Sequence, residues 1–333
     1  MSLSRALRPR LAVGRSASSE APIRIGISTC LLGEHVRFDG GHKRDAYLVE
    51  TLGRHVEWVP VCPEAEAGLG VPRESMNLRR VGAEVRLVTT KSGVDHTDAV
   101  RAYAARRIAT LRSYELCGYV LKKNSPSCGM EQVRIYGARG AVTNGRGLFA
   151  EALLKAFPYL PIEEEGSLGD SGLRENFIER VFAYRRLRSL FASRWTVGRL
   201  VAFHHAHELQ LAAHSPRLYG ELGRLVADAK AATRPALRQS YEATFTNALA
   251  TMATPKRHMN VLHRALRYFS QQLDSGSRSE ISDLIDDHGR GLLPLVVPLA
   301  LVRHYARQYR VTYLQLQTYL DPHPKELMLR NHG

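Results

Sequence analysis

The chain has 333 residues, 44% of them hydrophobic and 24% charged, which is ordinary for a soluble globular protein with room for two cores. No apolar run approaches the roughly 20 residues that cross a bilayer, and the longest, 292–302, is broken by Pro294 and Pro298. A formal net charge of +15, shared by both halves when the chain is divided at Glu165, fits a polyanionic partner such as nucleic acid or simply a solvated basic surface.

Residues 1–22 are rich in Arg and Ser, carry one acid (Glu20) and show no periodic apolar face, so they read as a disordered leader. No secretory apolar segment is visible, and the cytoplasm is the expected compartment. From residue 23 the chain alternates short apolar runs with helical patterns. Strands are expected at 23–28, 56–61, 83–89 and 117–121. An amphipathic helix is expected around Val100, Tyr103, Ala104, Ile108 and Leu111, and another over 146–157. This order implies an α/β N-terminal domain over 23–162 with a mainly parallel, Rossmann-like sheet. Residues 163–173 are acidic and contain Gly and Ser, a plausible linker. Beyond them only helical periodicity remains, so 174–333 is expected to be an all-α helical domain. There is no internal repeat.

Cys30 follows the first expected strand, Cys62 the second and Cys128 the fourth. In an open parallel sheet, ligands gather outside the carboxyl ends of the strands, so three cysteines far apart in sequence can meet there. Three thiolates form a soft-metal site, and either an iron–sulfur cubane with one open iron or a zinc ion with an open position fits. Simple burial of the thiols is the alternative. Cys117 begins a strand at the opposite end of the sheet and reads as a core residue. Four cysteines without a secretory signal argue against a disulfide framework. Around the three, Arg37 and Asp39 with Gly40 and Gly41 offer a cation, a carboxylate and close backbone approach. Glu64 is placed for proton transfer, Ser125 for orienting substrate, and Lys122 and Lys123 for holding an anionic group.

Cys30-Leu31-Leu32-Gly33, Val36-Arg37-Phe38-Asp39-Gly40, Cys62-Pro63-Glu64 and Ser125-Pro126-Ser127-Cys128-Gly129 stand in the order of the motifs of the thiouracil desulfidase family, which residues 23–162 resemble. The resemblance implies a [4Fe-4S] cluster on Cys30, Cys62 and Cys128, whose open iron takes the substrate sulfur in a hydrolytic C–S cleavage. It also implies Glu64 and Ser125 as catalytic acid/base residues. The helical half is similar to a domain often fused to such desulfidases, through Phe203-His204, Ala213-His214-Ser215, Asn260-Val261-Leu262, Tyr268-Phe269, 294–299 and Tyr319-Leu320. Two-domain members resemble enzymes that return 4-thiouridine in transfer RNA to uridine. Where that helical family tends to have Lys, this chain has Glu208, which departs from the pattern.

If transfer RNA is the substrate, the helical domain is its natural docking surface, and Lys256, Arg257, Arg264 and Arg267 recur on one expected helix. The run His204-His205-Ala206-His207-Glu208, with His214, raises the question of a second metal. His204 and Glu208 share a face, but His207 and His214 lie two turns apart, about 10 Å along the axis. Internal packing or RNA contact is the expected role of this run. Two other readings stay open. One is a desulfidase of free 2-thiouracil; the other is a non-catalytic, zinc-bearing RNA-binding protein.

Overall fold

The computed structural model describes residues 22–331 apart from 139 and 193. The expected leader, 1–22, therefore lies outside the described residues except for its last position. In chain order the elements are β1 (Arg24–Ser28), β2 (Glu57–Val61), β3 (Met76–Val81), β4 (Glu84–Thr89), α1 (Thr97–Leu111), β5 (Gly118–Leu121), β6 (Val133–Gly137), β7 (Gly140–Gly145), α2 (Leu148–Ala156) and β8 (Ile162–Glu164). The helices α3 (Ser171–Phe191), α4 (Val197–His214), α5 (Pro216–Ala227), α6 (Arg234–Ala250), α7 (Pro255–Leu266), α8 (Ser275–Gly289), α9 (Val296–Gln308) and α10 (Thr312–Gln315) follow.

The first sheet has the order β2-β1-β5-β8, and every pairing is parallel. Its central strands are apolar on both faces, as a doubly covered sheet requires. A side chain at Gly26 of β1 would sit 2.1 Å from the Tyr119 ring of β5, so only glycine lets that ring lie across the strand. One face packs Val59, Val61, Tyr119 and Leu121 against Tyr103 and Ile108 of α1 and Phe149 and Leu153 of α2. The other face packs Ile25, Ile27 and Val120 against Leu48, Leu52, and Phe177, Ile178 and Val181 of α3. The first helix of the helical half thus completes the α/β sandwich of the N-terminal half.

Two expectations are revised here. The strand expected at 83–89 forms as β4, but outside the parallel sheet: it pairs antiparallel with β3 in a second, mixed sheet ordered β4-β3-β6-β7. That sheet closes its own small core of Leu78, Leu87, Val133 and Ile135 with Val100 and Leu148. The stretch 163–173, expected as a linker, is built into the fold. Ile162–Glu164 pair with Tyr119–Leu121 as the edge strand β8, and Glu164 is buried. Acidity there reflects backbone amides that need acceptors, since Glu164 Oε1 accepts from Met130 N at 2.7 Å.

The helical half has two cores, one around Leu187, Tyr241 and Phe245 and one around Leu262, Phe269 and Tyr319. Most of its helices start on a capping side chain: Asp170, Thr196, Ser215, Thr233, Thr254 and Asp274 each accept from the amide three residues on. No helix among the described residues is long and apolar enough to cross a membrane.

Candidate active site

A cavity of about 380 Å³ opens at the carboxyl ends of β1, β2 and β5. Cys30, Cys62, Cys128, Glu64, Ser125, Arg37, Lys122 and Lys123 all line it. Its size is in the range of small-molecule sites. Asp39 is the one residue of the expected set that does not line it. Its carboxylate instead holds Arg37 at 3.2 Å and accepts from Gly41 N at 3.0 Å, and those two bonds depress its pKa.

Each thiol is placed by the turn after its strand. Cys30 sits in a single 3-10 turn (Thr29–Leu32) closed by Gly33, whose φ of 101° is a left-handed value that glycine adopts freely. Cys30 O accepts from Lys43 N at 2.9 Å, which brings the Arg37 loop back over the thiol. Cys62 follows β2, and its amide donates to Glu66 Oε1 at 2.7 Å, while Glu66 Oε2 accepts from the Tyr103 hydroxyl at 2.6 Å. The Cys128 loop is locked onto the start of α2. Gly147 N donates to Gly129 O, Leu148 N to Pro126 O, and both Phe149 N and Ala150 N to Ser127 O.

Burial sets the protonation of all three thiols. It pushes Cys30 up to about 11, with the neighbouring Cys62 charge adding to the effect and Lys122 and Arg37 opposing it. Cys62 is raised by burial. Cys128 is raised well above the ordinary thiol range by burial, against a hydrogen bond from Ser28; the Cys62 and Cys30 charges raise it further. The three thiols therefore feel one another across the cavity and are protonated at neutral pH.

Ser125 Oγ accepts from Ser127 N at 3.2 Å and Cys128 N at 3.0 Å, which leaves its own hydrogen to donate. Glu64 pairs with Arg73, the two side chains 13% and 8% exposed. The Lys122 ammonium is bound to Glu165, whose other oxygen accepts from Lys123 N at 2.6 Å. Arg73, Glu66, Ser28 and Glu165 were missed by the sequence reading. Their roles come from tertiary pairing; only the acidic residue four past Cys62 could have hinted at one of them.

Cys117 lies apart from the cavity. Its amide donates to Arg24 O at the start of β1, and its side chain joins the apolar cluster under α3. The histidine run is used for packing. His204 Nδ1 lies 3.3 Å from Tyr241 Oη, His207 Nδ1 donates to Phe203 O at 2.7 Å, and His214 Nδ1 donates to Thr251 O at 2.8 Å. Among the described residues, no three His, Cys, Asp or Glu side chains meet closely enough to share a single ion.

On α7, Lys256 and the following Arg267 are exposed. Arg257 donates to the carbonyls of His214 and Met252, and Arg264 lies 3.5 Å from Glu208 and over the Tyr219 ring. Glu208 also accepts from the Tyr313 hydroxyl at 2.8 Å, so the acid that departs from the family pattern is the centre of a local network.

A family model described as 2-thiouracil desulfurase matches residues 25–165, and one described as a protein of unknown function (DUF1722) matches 208–324. The uncharacterized protein YbgA of Escherichia coli (strain K12) is 33% identical over 155 residues, which is 46% of this chain and 92% of that protein. The uncharacterized protein YbbK of Bacillus subtilis (strain 168) is 32% identical over 143 residues, 41% of this chain and 93% of that protein. A solved structure titled as the [4Fe-4S]-dependent thiouracil desulfidase TudS is 31% identical, covering 44% of this chain and 93% of that one, with a TM-score of 0.36. The chain belongs to the 2-thiouracil desulfurase family, with a DUF1722 region forming its helical half.

Proposed function

We propose that this protein is a hydrolytic desulfidase that converts 4-thiouridine in transfer RNA to uridine. What carries the reading is the meeting of three thiols, a carboxylate and a hydroxyl donor in one cavity at the strand ends, in a member of a thiouracil desulfurase family. The donor set fits an iron–sulfur cluster: three soft ligands face one space, and the fourth position has no fixed protein ligand. Cys30, Cys62 and Cys128 would hold a [4Fe-4S] cluster. When bound, it supplies a Lewis-acidic iron open to the substrate sulfur.

The chain's own residues supply the rest. Glu64 takes a proton from the water that adds to the ring carbon bearing sulfur. Ser125 gives its free hydrogen to the ring nitrogen as charge develops there. Arg37, Lys43, Lys122 and Lys123 make the mouth of the cavity cationic, which suits a nucleotide carrying phosphate. The net change exchanges ring sulfur for the oxygen of water and releases sulfide, so no external electrons are consumed. The helical half, with Lys256 and Arg267 exposed, serves as a docking surface for the polyanion.

The test is anaerobic reconstitution followed by incubation with bulk transfer RNA, reading loss of 4-thiouridine and release of sulfide. A brown protein active on transfer RNA meets the expectation. Turnover of free 2-thiouracil alone would move the substrate to the base. A colourless zinc protein without turnover would overturn the assignment.

A further inference from the structure

Arg73 lies eleven residues beyond Cys62, in a segment with no motif, yet its guanidinium is the most connected group in the cavity wall. Nε and Nη2 both donate to Glu64 Oε2, at 3.1 and 2.5 Å. Nη1 donates to Val36 O at 3.1 Å and to Gly70 O at 2.9 Å. The Arg73 amide donates to Phe38 O at 2.8 Å. One side chain thus ties the loop after β1, the turn after Cys62 and the segment leading to β3. Val36 O is also within 3.9 Å of the Cys62 thiol, so the same carbonyl touches both the arginine and a cysteine of the site.

The pattern on Glu64 is lopsided. Both donated bonds fall on Oε2, and no hydrogen bond within the protein reaches Oε1 among the described residues. A carboxylate gripped on one oxygen by two arms of a planar fork cannot turn about its terminal torsion, so the other oxygen keeps a fixed direction. We propose that Arg73 is a positioning residue for Glu64: it clamps Oε2, so that Oε1 alone is presented to the reacting water. This rests on the reading of Glu64 as the base. Lysine would keep the charge but not the fork, and one ammonium cannot reproduce the grip while also holding the Val36 and Gly70 carbonyls.

The experiment uses full-length reconstituted Arg73→Gln, Arg73→Lys, Glu64→Gln and the double variant Arg73→Gln/Glu64→Gln, with thiolated transfer RNA as substrate. Arg73→Gln is expected to keep wild-type iron and sulfide content and KM while kcat falls about 100-fold, and Glu64→Gln to fall about a thousandfold. Arg73→Lys should recover only part of the loss. The double variant should be no slower than Glu64→Gln, because a residue acting through Glu64 has nothing left to position. A wild-type kcat in Arg73→Gln overturns the proposal. So does a double variant slowed by the product of the two single effects, or loss of cluster from both Arg73 variants. A crystal structure of Arg73→Gln gives a readout free of activity: Glu64 should leave its wild-type rotamer, and an unmoved carboxylate would refute the clamp. If the wild type turns over neither transfer RNA nor free 2-thiouracil, the functional reading fails, and the rotamer still decides the positioning claim.

Discussion

At the scale of single residues, the site separates ligands from look-alikes. Replacing Cys30, Cys62 or Cys128 with Ser should abolish the brown colour and turnover, whereas Cys117→Ser, in the apolar cluster under α3, should keep both. Iron content and absorbance of anaerobically purified variants decide this. Gly147 makes a subtler claim. A Cβ there would lie 2.5 Å from the Ser127 carbonyl and 2.8 Å from Cys128 N, both backbone. Gly147→Ala must therefore push the Cys128 loop away from α2, at a cost of about 1–3 kcal/mol. The expected result is a folded protein with reduced cluster content, and undiminished iron would show that the loop absorbs the strain elsewhere. The cavity's outline was legible in the sequence because each thiol follows an apolar run that could only be a strand. Arg73 and Ser28 were not legible, because their partners, Glu64 nine residues away and Cys128 a hundred away, are neighbours only in the folded chain.

At the scale of elements, strands buried on both faces were readable and the others were not. β1, β2 and β5 are short apolar runs, but β3 carries Arg79 and Arg80 on an exposed side, and β7 is glycine-bounded and almost wholly exposed. Such strands pair by register rather than by burial, and hydrophobic pattern does not reveal them. β8 was hidden differently: three residues long, with acids whose acceptors serve backbone amides, it resembled a loop. The helices were clearer, since periodic apolar positions and Ser, Thr or Asp caps agree. Among them α3 carries a prediction. Phe177 is fully buried in the cluster that holds Ile25, Ile27 and Cys30. Phe177→Ala should cost about 3–5 kcal/mol. It should lower the denaturant midpoints for cluster loss and for helix melting together. A cluster midpoint that stays in place would show that α3 does not support the sheet.

At the scale of the whole molecule, charge and protonation set the behaviour. His207 and His258 are buried in the helical half, and burial holds each pKa down to about 3. Above the ordinary value of 6.5 both folded and unfolded chains carry neutral rings. Below it the unfolded chain takes up protons that the folded one refuses, so stability falls with pH from 6.5 towards 3. The slope is roughly 1.4 kcal/mol per pH unit for each ring. Unfolding in urea at pH 7.5 and 5.5, followed by helical circular dichroism, should show this loss, and His258→Gln should remove about half of it. A pH-independent midpoint would contradict it. Binding of transfer RNA should weaken steeply with salt, with Lys256→Ala or Arg267→Ala each lowering the slope by about 1. An unchanged slope would place the RNA elsewhere.

Helix α3 has two opposite faces in use at once. Phe177, Ile178 and Val181 belong to the cluster beneath Cys30, while Glu175 and Glu179 hold the buried Arg330 near the C-terminal end at 3.0 and 3.3 Å. A single residue inserted before the helix would rotate it by about 100° and misalign both faces together. The stretch 163–173 is therefore intolerant of length changes despite its acidic, glycine-containing composition. In evolutionary terms, the helix is inherited by both halves: any lineage that gained or shed the helical half had to repair the catalytic sheet in the same step, so the two halves of this chain drift as one unit.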